Sequence, residues 1–326
     1  MHVLVTGAFG NLGQRVVDEL LRRGSGVRCV DLPSPRNRRA AKRQRGRVEI
    51  AWGDVRDTAW LAGPLRDADA VIHLAALLPP ATENQPELAE AVNVTATQRL
   101  VDLVACSPRA PLFVYPSSLT VFGLTQSQPP PRKPTDPVVA TDAYTRHKLA
   151  VEAYLAASKI AWLVLRIGVS VDSRTLSADA SVLRKMVAVG ADNRLEWVHP
   201  QDVAVAMANA VERKHAVARR TLLIGGGSSC QITQSVFLAA ALQGLGLRWS
   251  ERHHGGDEYY TDWLDSGESQ RLLDYQRRSF DDYRFEMAQR LRWPRRLLWP
   301  LRPLLNPALA ALCERLRERP HPLPPG

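Results

Sequence analysis

The stretch VLVTGAFGNLGQRVVDELL, at residues 3–21, constrains the fold of this 326-residue chain more than any other. It joins an apolar run, which predicts a buried strand, to an amphipathic helical pattern through Gly7, Gly10 and Gly13. Because glycine has no side chain, such a loop can turn tightly, and its backbone can approach a pyrophosphate. The phosphates would then face the helix N-terminus, where free N–H groups and the helix dipole favour negative charge. The combination of strand, glycines and helix predicts a dinucleotide-binding site.

Apolar runs alternate with helical patterns from residue 1 to about residue 170, which is typical of an α/β fold with a doubly wound, Rossmann-type parallel sheet. We interpret residues 1–170 as the dinucleotide-binding domain, with the last elements of its sheet contributed by residues 190–226. Residues 171–290 are predicted to form a smaller, mixed substrate-binding lobe, and residues 291–326 a basic, proline-rich tail. The predicted strands are HVLVT, VRCVD, RVEIAW, AVIHLA, PLFVYP and AWLVLRI.

The composition excludes several classes of protein. Hydrophobic residues make up 45% of the chain and charged residues 23%, which argues against global disorder or a fibrous repeat. No apolar run is long enough to span a bilayer, and no signal-peptide pattern is seen. The cysteines are widely spaced without a C-x-x-C pair, so we predict no metal site, no disulfide framework and a cytoplasmic location. They are Cys29, Cys106, Cys230 and Cys313.

The net charge of +10 is unevenly distributed along the chain. One basic cluster is RNRRAAKRQRGR at residues 36–47, and another runs from Arg277 to Arg319. Clusters of this kind can bind nucleic acid or anionic lipid, although arginine-rich solvated loops explain them equally well. Since charge alone does not establish a specific site, we predict no specific nucleic-acid partner.

The tail combines Trp293 and Trp299 with leucines and arginines, a mixture that could contact a membrane surface peripherally. Four prolines would break a continuous helix there, which favours the alternative, a segment packed on the body of the protein or on a partner subunit. These are Pro294, Pro300, Pro303 and Pro307.

Asp31 closes the second predicted strand, near the roughly 20-residue spacing at which a carboxylate meets the adenosine ribose. Its carboxylate would accept both ribose hydroxyls and repel a 2′-phosphate, which favours NAD as the cofactor. NADP stays possible because Arg36, Arg38 and Arg39 follow closely enough to bind a 2′-phosphate. Asp54 follows the third strand, at the carboxyl edge where open α/β sheets bind ligands.

Tyr144 and Lys148 are four residues apart in YTRHK, so a helix would place both on one side. A nearby ammonium favours the phenolate and lowers the pKa of a tyrosine. Ser118 follows the fifth predicted strand and could hold the oxygen of a substrate against the phenol, while Lys148 also reaches the nicotinamide ribose. We therefore predict that Ser118, Tyr144 and Lys148 are the catalytic residues.

The sequence resembles the extended short-chain dehydrogenase/reductase family, which includes nucleotide-sugar epimerases, dehydratases and 3β-hydroxysteroid dehydrogenases. The motifs TGAFGNLG, GDV, HLAA, VNVTAT, SSLTVFG, YTRHK and LRIG occur in the family order over residues 1–210. The resemblance implies a Ser118–Tyr144–Lys148 triad, and a homodimer paired through the helices beside YTRHK. The dinucleotide would be lined by the glycine loop and Tyr144 and Lys148, together with Asn11, Leu12, Asp31, Asp54, Val55, Leu74, Ala75, Ala76 and Asn93.

Departures from the family patterns narrow the reaction. Dehydratases carry an Asp-Glu pair where this chain has Leu119 and Thr120, which argues against dehydration. Nucleotide-sugar enzymes commonly carry an arginine at the position of Leu195, whereas Arg194 lies one residue earlier. The pattern N-x-x-E-W-V-H at residues 193–199 is more similar to the 3β-hydroxysteroid dehydrogenase branch.

We therefore expect an NAD(P)-dependent oxidoreductase that transfers a hydride between the nicotinamide and a secondary alcohol or ketone of a small, hydrophobic substrate. A nucleotide-sugar epimerase with tightly held NAD is the first alternative. A non-catalytic sensor or scaffold that binds NAD is an alternative of another class. It would be expected to lose one of the three catalytic side chains, and all three are present.

Overall fold

The computed structural model describes residues 1–173 and 186–317 of the chain. Seven parallel strands form one sheet in the order β3-β2-β1-β4-β5-β6-β8. The α/β Rossmann-type fold is thereby confirmed. The strands are β1 (His2–Thr6), β2 (Gly26–Asp31), β3 (Glu49–Trp52), β4 (Ala70–His73), β5 (Leu112–Ser118), β6 (Trp162–Ile167), β7 (Arg194–Glu196), β8 (Arg220–Ile224) and β9 (Gln231–Thr233).

Helices cover both faces of the sheet. Val3 and Val5 of β1 belong to the core layer beneath α1 and α8, whereas Leu4 between them belongs to the layer beneath α3, α6 and α7. This alternation explains why the strands are apolar throughout, since both faces of a parallel sheet are buried. The helices are α1 (Asn11–Arg22), α2 (Pro35–Ala41), α3 (Thr58–Leu65), α4 (Ala81–Asn84), α5 (Pro86–Glu90), α6 (Thr97–Ala105), α7 (Ala143–Ala157), α8 (Pro200–Glu212), α9 (Lys214–Val217), α10 (Gln234–Gly244), α11 (Gly267–Leu273), α12 (Phe280–Arg290), α13 (Arg292–Leu298) and α14 (Arg302–Arg317).

All six predicted strands are present in the sheet, and the seventh, β8, comes from the predicted region 190–226. The other strand of that region, β7, does not join the sheet. It pairs antiparallel with β9, with Leu195 opposite Ile232, and forms a separate two-stranded sheet. A parallel bridge between Val169, which follows β6, and Trp197, which follows β7, links this small sheet to the carboxyl end of β6.

A second core lies in the smaller C-terminal lobe, where Trp197, Phe237 and Tyr283 pack together. Trp197 and Tyr283 have ring centroids 5.3 Å apart, and both side chains are fully buried. The assignment of residues 171–290 to substrate binding stays a prediction. Residues 174–185 of this predicted lobe, and residues 318–326 of the predicted tail, lie outside the described residues.

The tail forms two helices, α13 and α14, joined by a 3-10 turn at Trp299–Leu301. Pro300 and Pro303 lie in this turn and at the start of α14, as expected for residues that interrupt a helix. The predicted break at Pro307 was wrong, because Pro307 lies inside α14. Among residues 1–173 and 186–317, we find no helix with the length and apolar character needed to cross a bilayer.

Candidate active site

The glycine loop turns tightly between β1 and α1. Gly7 has a φ of +64°, and a Cβ on it would lie 2.7 Å from the backbone N of Ala75, so only glycine fits this position. A Cβ on Gly13 would overlap the carbonyl oxygen of Gly7. Gly10 is the N-cap residue of α1 and provides no side chain to bind the first N–H groups of the helix. The loop therefore presents bare backbone to an anion at the helix N-terminus.

Asp31, at the end of β2, is hydrogen-bonded to this loop. Its Oδ2 accepts from the backbone N of Phe9 at 2.8 Å, and its Oδ1 accepts from the Asn37 side chain at 2.8 Å. Burial raises the pKa of Asp31, while backbone donors and the charge of Arg36 act in the opposite direction. The carboxylate thus lies beside the glycine loop, and its contact with an adenosine ribose stays a prediction.

Arginines of α2 lie at the same edge. Arg36 Nη2 donates to Asn11 Oδ1 at 3.3 Å, and the guanidinium of Arg38 lies 5.3 Å from the ring centre of Trp52. Both side chains are exposed, and the charge of Arg36 acts on the carboxylate of Asp31.

The loop after β4 borders the glycine loop, and the loop after β3 contacts the end of β2 through the hydrogen bond from the backbone N of Gly53 to the Asp31 carbonyl. Asp54 is bound by its neighbour Arg56, whose Nη2 lies 2.6 Å from Asp54 Oδ2. Asn93 clamps the loop after β4, because its Oδ1 accepts from the backbone N of Leu77 at 2.8 Å and its Nδ2 donates to the carbonyl of Leu77 at 2.9 Å. Asn93 therefore shapes the loop that follows Leu74, Ala75 and Ala76. Val55 is buried, in the core layer beneath α3.

The start of α7 is fixed by a capping box. Asp142 accepts from the backbone N of Thr145 at 2.7 Å, and the Thr145 hydroxyl receives a hydrogen bond from the backbone N of Asp142 at 3.0 Å. Two orphan N–H groups of the helix are satisfied in this way. Tyr144 therefore lies in the first turn of α7, with Lys148 one turn later on the same side.

The three predicted catalytic side chains come together at the carboxyl end of β5. Ser118, the last residue of that strand, lies close enough to the Tyr144 phenol to lower its pKa, and the Ser118 hydroxyl is hydrogen-bonded to that of Thr120 at 2.9 Å. Lys148 Nζ donates to the carbonyl of Pro116 at 2.6 Å and lies 5.5 Å from the centre of the Tyr144 ring. The structure thus brings together residues that are up to 30 positions apart in the sequence.

The charges of this trio differ from the expectation. Burial raises the pKa of Tyr144 to about 12, although the nearby side chain of Ser118 partly lowers it. Burial also lowers the pKa of Lys148 to about 8. The expected lowering of the tyrosine pKa by the ammonium is therefore not found here, because Lys148 loses its proton well before the phenol ionises. At neutral pH the site holds a neutral phenol beside a protonated amine.

A buried ion pair, which the sequence analysis missed, lies next to Lys148 of the trio. Arg166 Nη2 and Glu152 Oε2 are 2.7 Å apart, and the Ser117 hydroxyl also donates to Glu152. The charge of Glu152 partly offsets the effect of burial on the pKa of Lys148. Glu152 continues the four-residue spacing of Tyr144 and Lys148, which was the available signal for its place on this side of α7.

The C-terminal lobe adds two residues near the trio. The backbone N of Tyr259 donates to Asn193 Oδ1 at 2.8 Å, and the Tyr259 ring stacks on Tyr260 with centroids 5.3 Å apart. Tyr259 lies close enough to Tyr144 to raise its pKa, yet 42% of its own surface is exposed. This aromatic pair is therefore available to contact a substrate.

Arg194 is held by protein groups. Its Nε donates to Asp262 Oδ1 at 2.7 Å, and its Nη1 donates to the carbonyl of Gln126 at 2.9 Å. Its Nη2 donates to the carbonyls of Thr125 and Gln128, at 3.1 and 2.9 Å. Four of the five N–H donors of a guanidinium are thereby used.

A family model described as the NAD-dependent epimerase/dehydratase family matches residues 3–225. Protein y4nG of Sinorhizobium fredii is 36% identical over 149 residues, which cover 46% of this chain and 35% of that protein. UDP-glucose 4-epimerase of Mycolicibacterium smegmatis is 33% identical over 164 residues, or 48% of this chain and 50% of that protein. D-erythronate dehydrogenase of Cupriavidus necator is 30% identical over 135 residues, or 38% and 40%. The matches therefore span half the length of these relatives or less.

Solved structures show the same fold over most of the chain. A UDP-glucose-4-epimerase from Stenotrophomonas maltophila, with bound NAD and formylated UDP-arabinopyranose, has a TM-score of 0.76 and 23% identity, and the match covers 91% of this chain and 99% of that one. A short-chain dehydrogenase/reductase superfamily protein from Agrobacterium tumefaciens, with bound NAD, has a TM-score of 0.73 and 20% identity over 93% of this chain and 100% of that one. At these identities the likeness concerns the fold.

Proposed function

The chain belongs to the NAD-dependent epimerase/dehydratase family, and on that premise we propose that it is an oxidoreductase that interconverts a secondary alcohol and a ketone on a small substrate. The observation that carries the proposal is the convergence of Ser118, Tyr144 and Lys148 at the same carboxyl edge of the sheet as the glycine loop. A sensor or scaffold without turnover has no need of these three side chains in one place, so we place that alternative last.

The glycine loop fits a dinucleotide, because its tight turn leaves no room for side chains at Gly7 and Gly13. Its bare backbone can therefore approach a pyrophosphate. Asp31 would accept the adenosine ribose hydroxyls, which supports NAD as the cofactor. Arg36 is the residue through which NADP would be accommodated, since it is the α2 arginine that contacts Asn11.

A bound nicotinamide would supply the hydride acceptor or donor. In the reducing direction, the neutral phenol of Tyr144 donates its proton to the substrate oxygen, and the Ser118 hydroxyl holds that oxygen in place. In the oxidising direction, the phenol must first lose its proton, so its raised pKa predicts faster oxidation as the pH increases. Lys148, anchored on the Pro116 carbonyl, keeps a positive charge beside the phenol below its own pKa of about 8.

We propose a substrate without a nucleoside diphosphate. The arginine nearest to the expected diphosphate position, Arg194, is bound to Asp262 and to loop carbonyls and has little capacity left for phosphate oxygens. The exposed ring of Tyr259, which stacks on Tyr260, provides an aromatic surface near Tyr144 instead. A nucleotide-sugar epimerase that retains NAD is the alternative, supported by the 33% identity to a UDP-glucose 4-epimerase over half of that protein.

We also propose a cytoplasmic location and a homodimer whose subunits pair through α6 and α7. The location is supported by the free thiols of Cys29, Cys106 and Cys230, since a reducing compartment keeps cysteines reduced.

The test combines mass spectrometry of any nucleotide that copurifies with the protein and a substrate screen. The screen offers NAD or NADP with hydrophobic secondary alcohols, D-erythronate and UDP-glucose, and follows the absorbance of the reduced cofactor. We expect net cofactor reduction with an alcohol. Inversion of UDP-glucose without net reduction would instead establish the epimerase, and absence of both with a bound NAD would support the sensor.

A further inference from the structure

Large apolar side chains are concentrated on the surface of one short segment. Among the described residues, six of the thirteen exposed large hydrophobic side chains lie between positions 285 and 304. Their exposed fractions are 65% for Phe285, 66% for Trp293, 76% for Leu297, 61% for Trp299, 48% for Leu301 and 72% for Leu304. We call residues 285–304 the Trp/Arg surface. Soluble monomers rarely expose a contiguous patch of this kind without a function.

The same segment is strongly cationic. Residues 287–313 contain no aspartate or glutamate, and they carry five arginines: Arg290, Arg292, Arg295, Arg296 and Arg302. Two of these stack on the exposed tryptophans. The guanidinium of Arg296 lies 5.2 Å from the Trp293 ring centre, and that of Arg302 lies 4.3 Å from the Trp299 ring centre.

The segment is anchored to the lobe by residues before and after α13, while none of the residues of α13 itself is buried. The backbone N of Arg248 donates to Asn306 Oδ1 at 3.1 Å, and Cys313 of α14 is 1% exposed. Leu291, just before α13, packs against the core that contains Trp197. Trp293, Leu297 and Leu301 recur every fourth residue, which places them along one side of the helical path. The Trp/Arg surface is therefore a formed, outward-facing structure.

The mixture of apolar and cationic side chains indicates which kind of partner the Trp/Arg surface binds. A protein interface buries its apolar centre with few charges, and five arginines with a single carboxylate, Glu286, do not fit that pattern. Nucleic acid would pair with the arginines and stack on the tryptophans, but it offers nothing apolar to Leu297, Leu301 and Leu304. An anionic lipid leaflet satisfies both sets, since leucine and tryptophan enter the boundary of headgroups and acyl chains while arginines meet the lipid phosphates.

We propose that the Trp/Arg surface docks the protein peripherally on the face of an anionic lipid bilayer. The exposed leucines and tryptophans supply the apolar contact, and the arginines supply the preference for negative lipid. Binding then depends on both sets and weakens as salt screens the charges.

Vesicle flotation with the full chain tests this proposal. Phosphatidylcholine vesicles with phosphatidylglycerol should carry the protein upward at low salt, and vesicles of phosphatidylcholine alone should carry much less. Arg295→Gln with Arg296→Gln should lower partitioning about 30-fold, since each basic residue near such a surface contributes roughly fivefold. Trp293→Ala with Leu297→Ala should lower it at least about tenfold.

The matched control is Arg43→Gln with Arg45→Gln, which removes the same charge from the other exposed basic cluster. It should float like the wild type, and thermal unfolding should show that all variants are folded. An equal loss of vesicle flotation in this control would show that total charge drives binding, and it would overturn the proposal. Flotation that does not depend on anionic lipid, or no flotation, would overturn it as well.

Two further outcomes would overturn the proposal and assign the Trp/Arg surface to a different partner. If light scattering shows a dimer that becomes monomeric in Trp293→Ala with Leu297→Ala, and no variant floats, the surface is a subunit interface. If duplex DNA is bound in preference to vesicles, and binding is lost with Arg295→Gln and Arg296→Gln, the surface belongs to nucleic acid.

Discussion

The buried ion pair behind the active site can be compared with an exposed pair of the same chemistry. Arg166 Nη2 and Glu152 Oε2 are 2.7 Å apart, with side chains 8% and 10% exposed. Arg220 Nη1 and Glu268 Oε1 are 2.8 Å apart, with side chains 48% and 44% exposed. Because the distances are nearly equal, burial should decide what each arginine contributes to the free energy of unfolding.

Arg166→Met leaves the Glu152 carboxylate buried without its guanidinium partner and removes the hydrogen bond that Arg166 donates to the Pro134 carbonyl. We expect the free energy of unfolding to fall by about 3–5 kcal/mol, the usual cost of an uncompensated buried charge. Arg220→Met should cost about 0–1 kcal/mol, because its pair is solvated. Combining Arg166→Met with Glu152→Leu should recover most of the loss, since the buried charge is then gone.

Urea unfolding followed by tryptophan fluorescence measures these differences as shifts of the midpoint at constant slope. Equal costs for Arg166→Met and Arg220→Met would refute the reasoning from burial. A double variant as unstable as the single Arg166→Met would refute the assignment of the cost to the unpaired carboxylate.

Three other predictions concern the cofactor site and Lys148. The pKa of Lys148 falls from 10.5 to about 8 on folding, so the unfolded chain binds more protons than the folded chain between these pH values. The free energy of unfolding should therefore rise with pH across that window, by about 3 kcal/mol. Lys148→Met should flatten this rise in urea titrations at pH 8 and above, and a rise of unchanged size would contradict the burial of the amine. Asp31→Ala should weaken NAD more than NADP in calorimetric titrations, and an unchanged preference would argue against its ribose role. Gly13→Ala should abolish dinucleotide binding because its Cβ would overlap the Gly7 carbonyl, whereas Gly63→Ala, where a Cβ meets open space, should bind normally.

Local patterns in the sequence were sufficient to predict the sheet and the proximity of Ser118, Tyr144 and Lys148. The glycine loop is a contiguous strand–loop–helix pattern, and the Tyr144–Lys148 spacing follows from one turn of α7, so neither required knowledge of distant contacts. The short strand β7 was placed less well, because its partner β9 lies beyond β8 in the sequence and nothing local identifies it.

Properties that depend on burial and on distant partners could not be read from the sequence. The pKa of Tyr144 is set by how much protein covers the phenol, which outweighs the nearby lysine. Arg194 meets Asp262 across 68 positions, so its engagement was invisible to motif comparison. The exposure of Trp293 and Leu297 likewise depends on the position of α13 at the surface, where none of its residues is buried.

The central claim is that the phenol of Tyr144 moves the proton of the reaction. The most direct test is the single-turnover rate of hydride transfer in Tyr144→Phe, with Tyr154→Phe on the same helix as the control and NAD affinity measured separately. Tyr154 bonds Asp102 at the outer side of α7, so its variant should turn over normally. We expect Tyr144→Phe to lose about 100-fold or more in rate while still binding NAD. A wild-type rate in Tyr144→Phe would contradict the account.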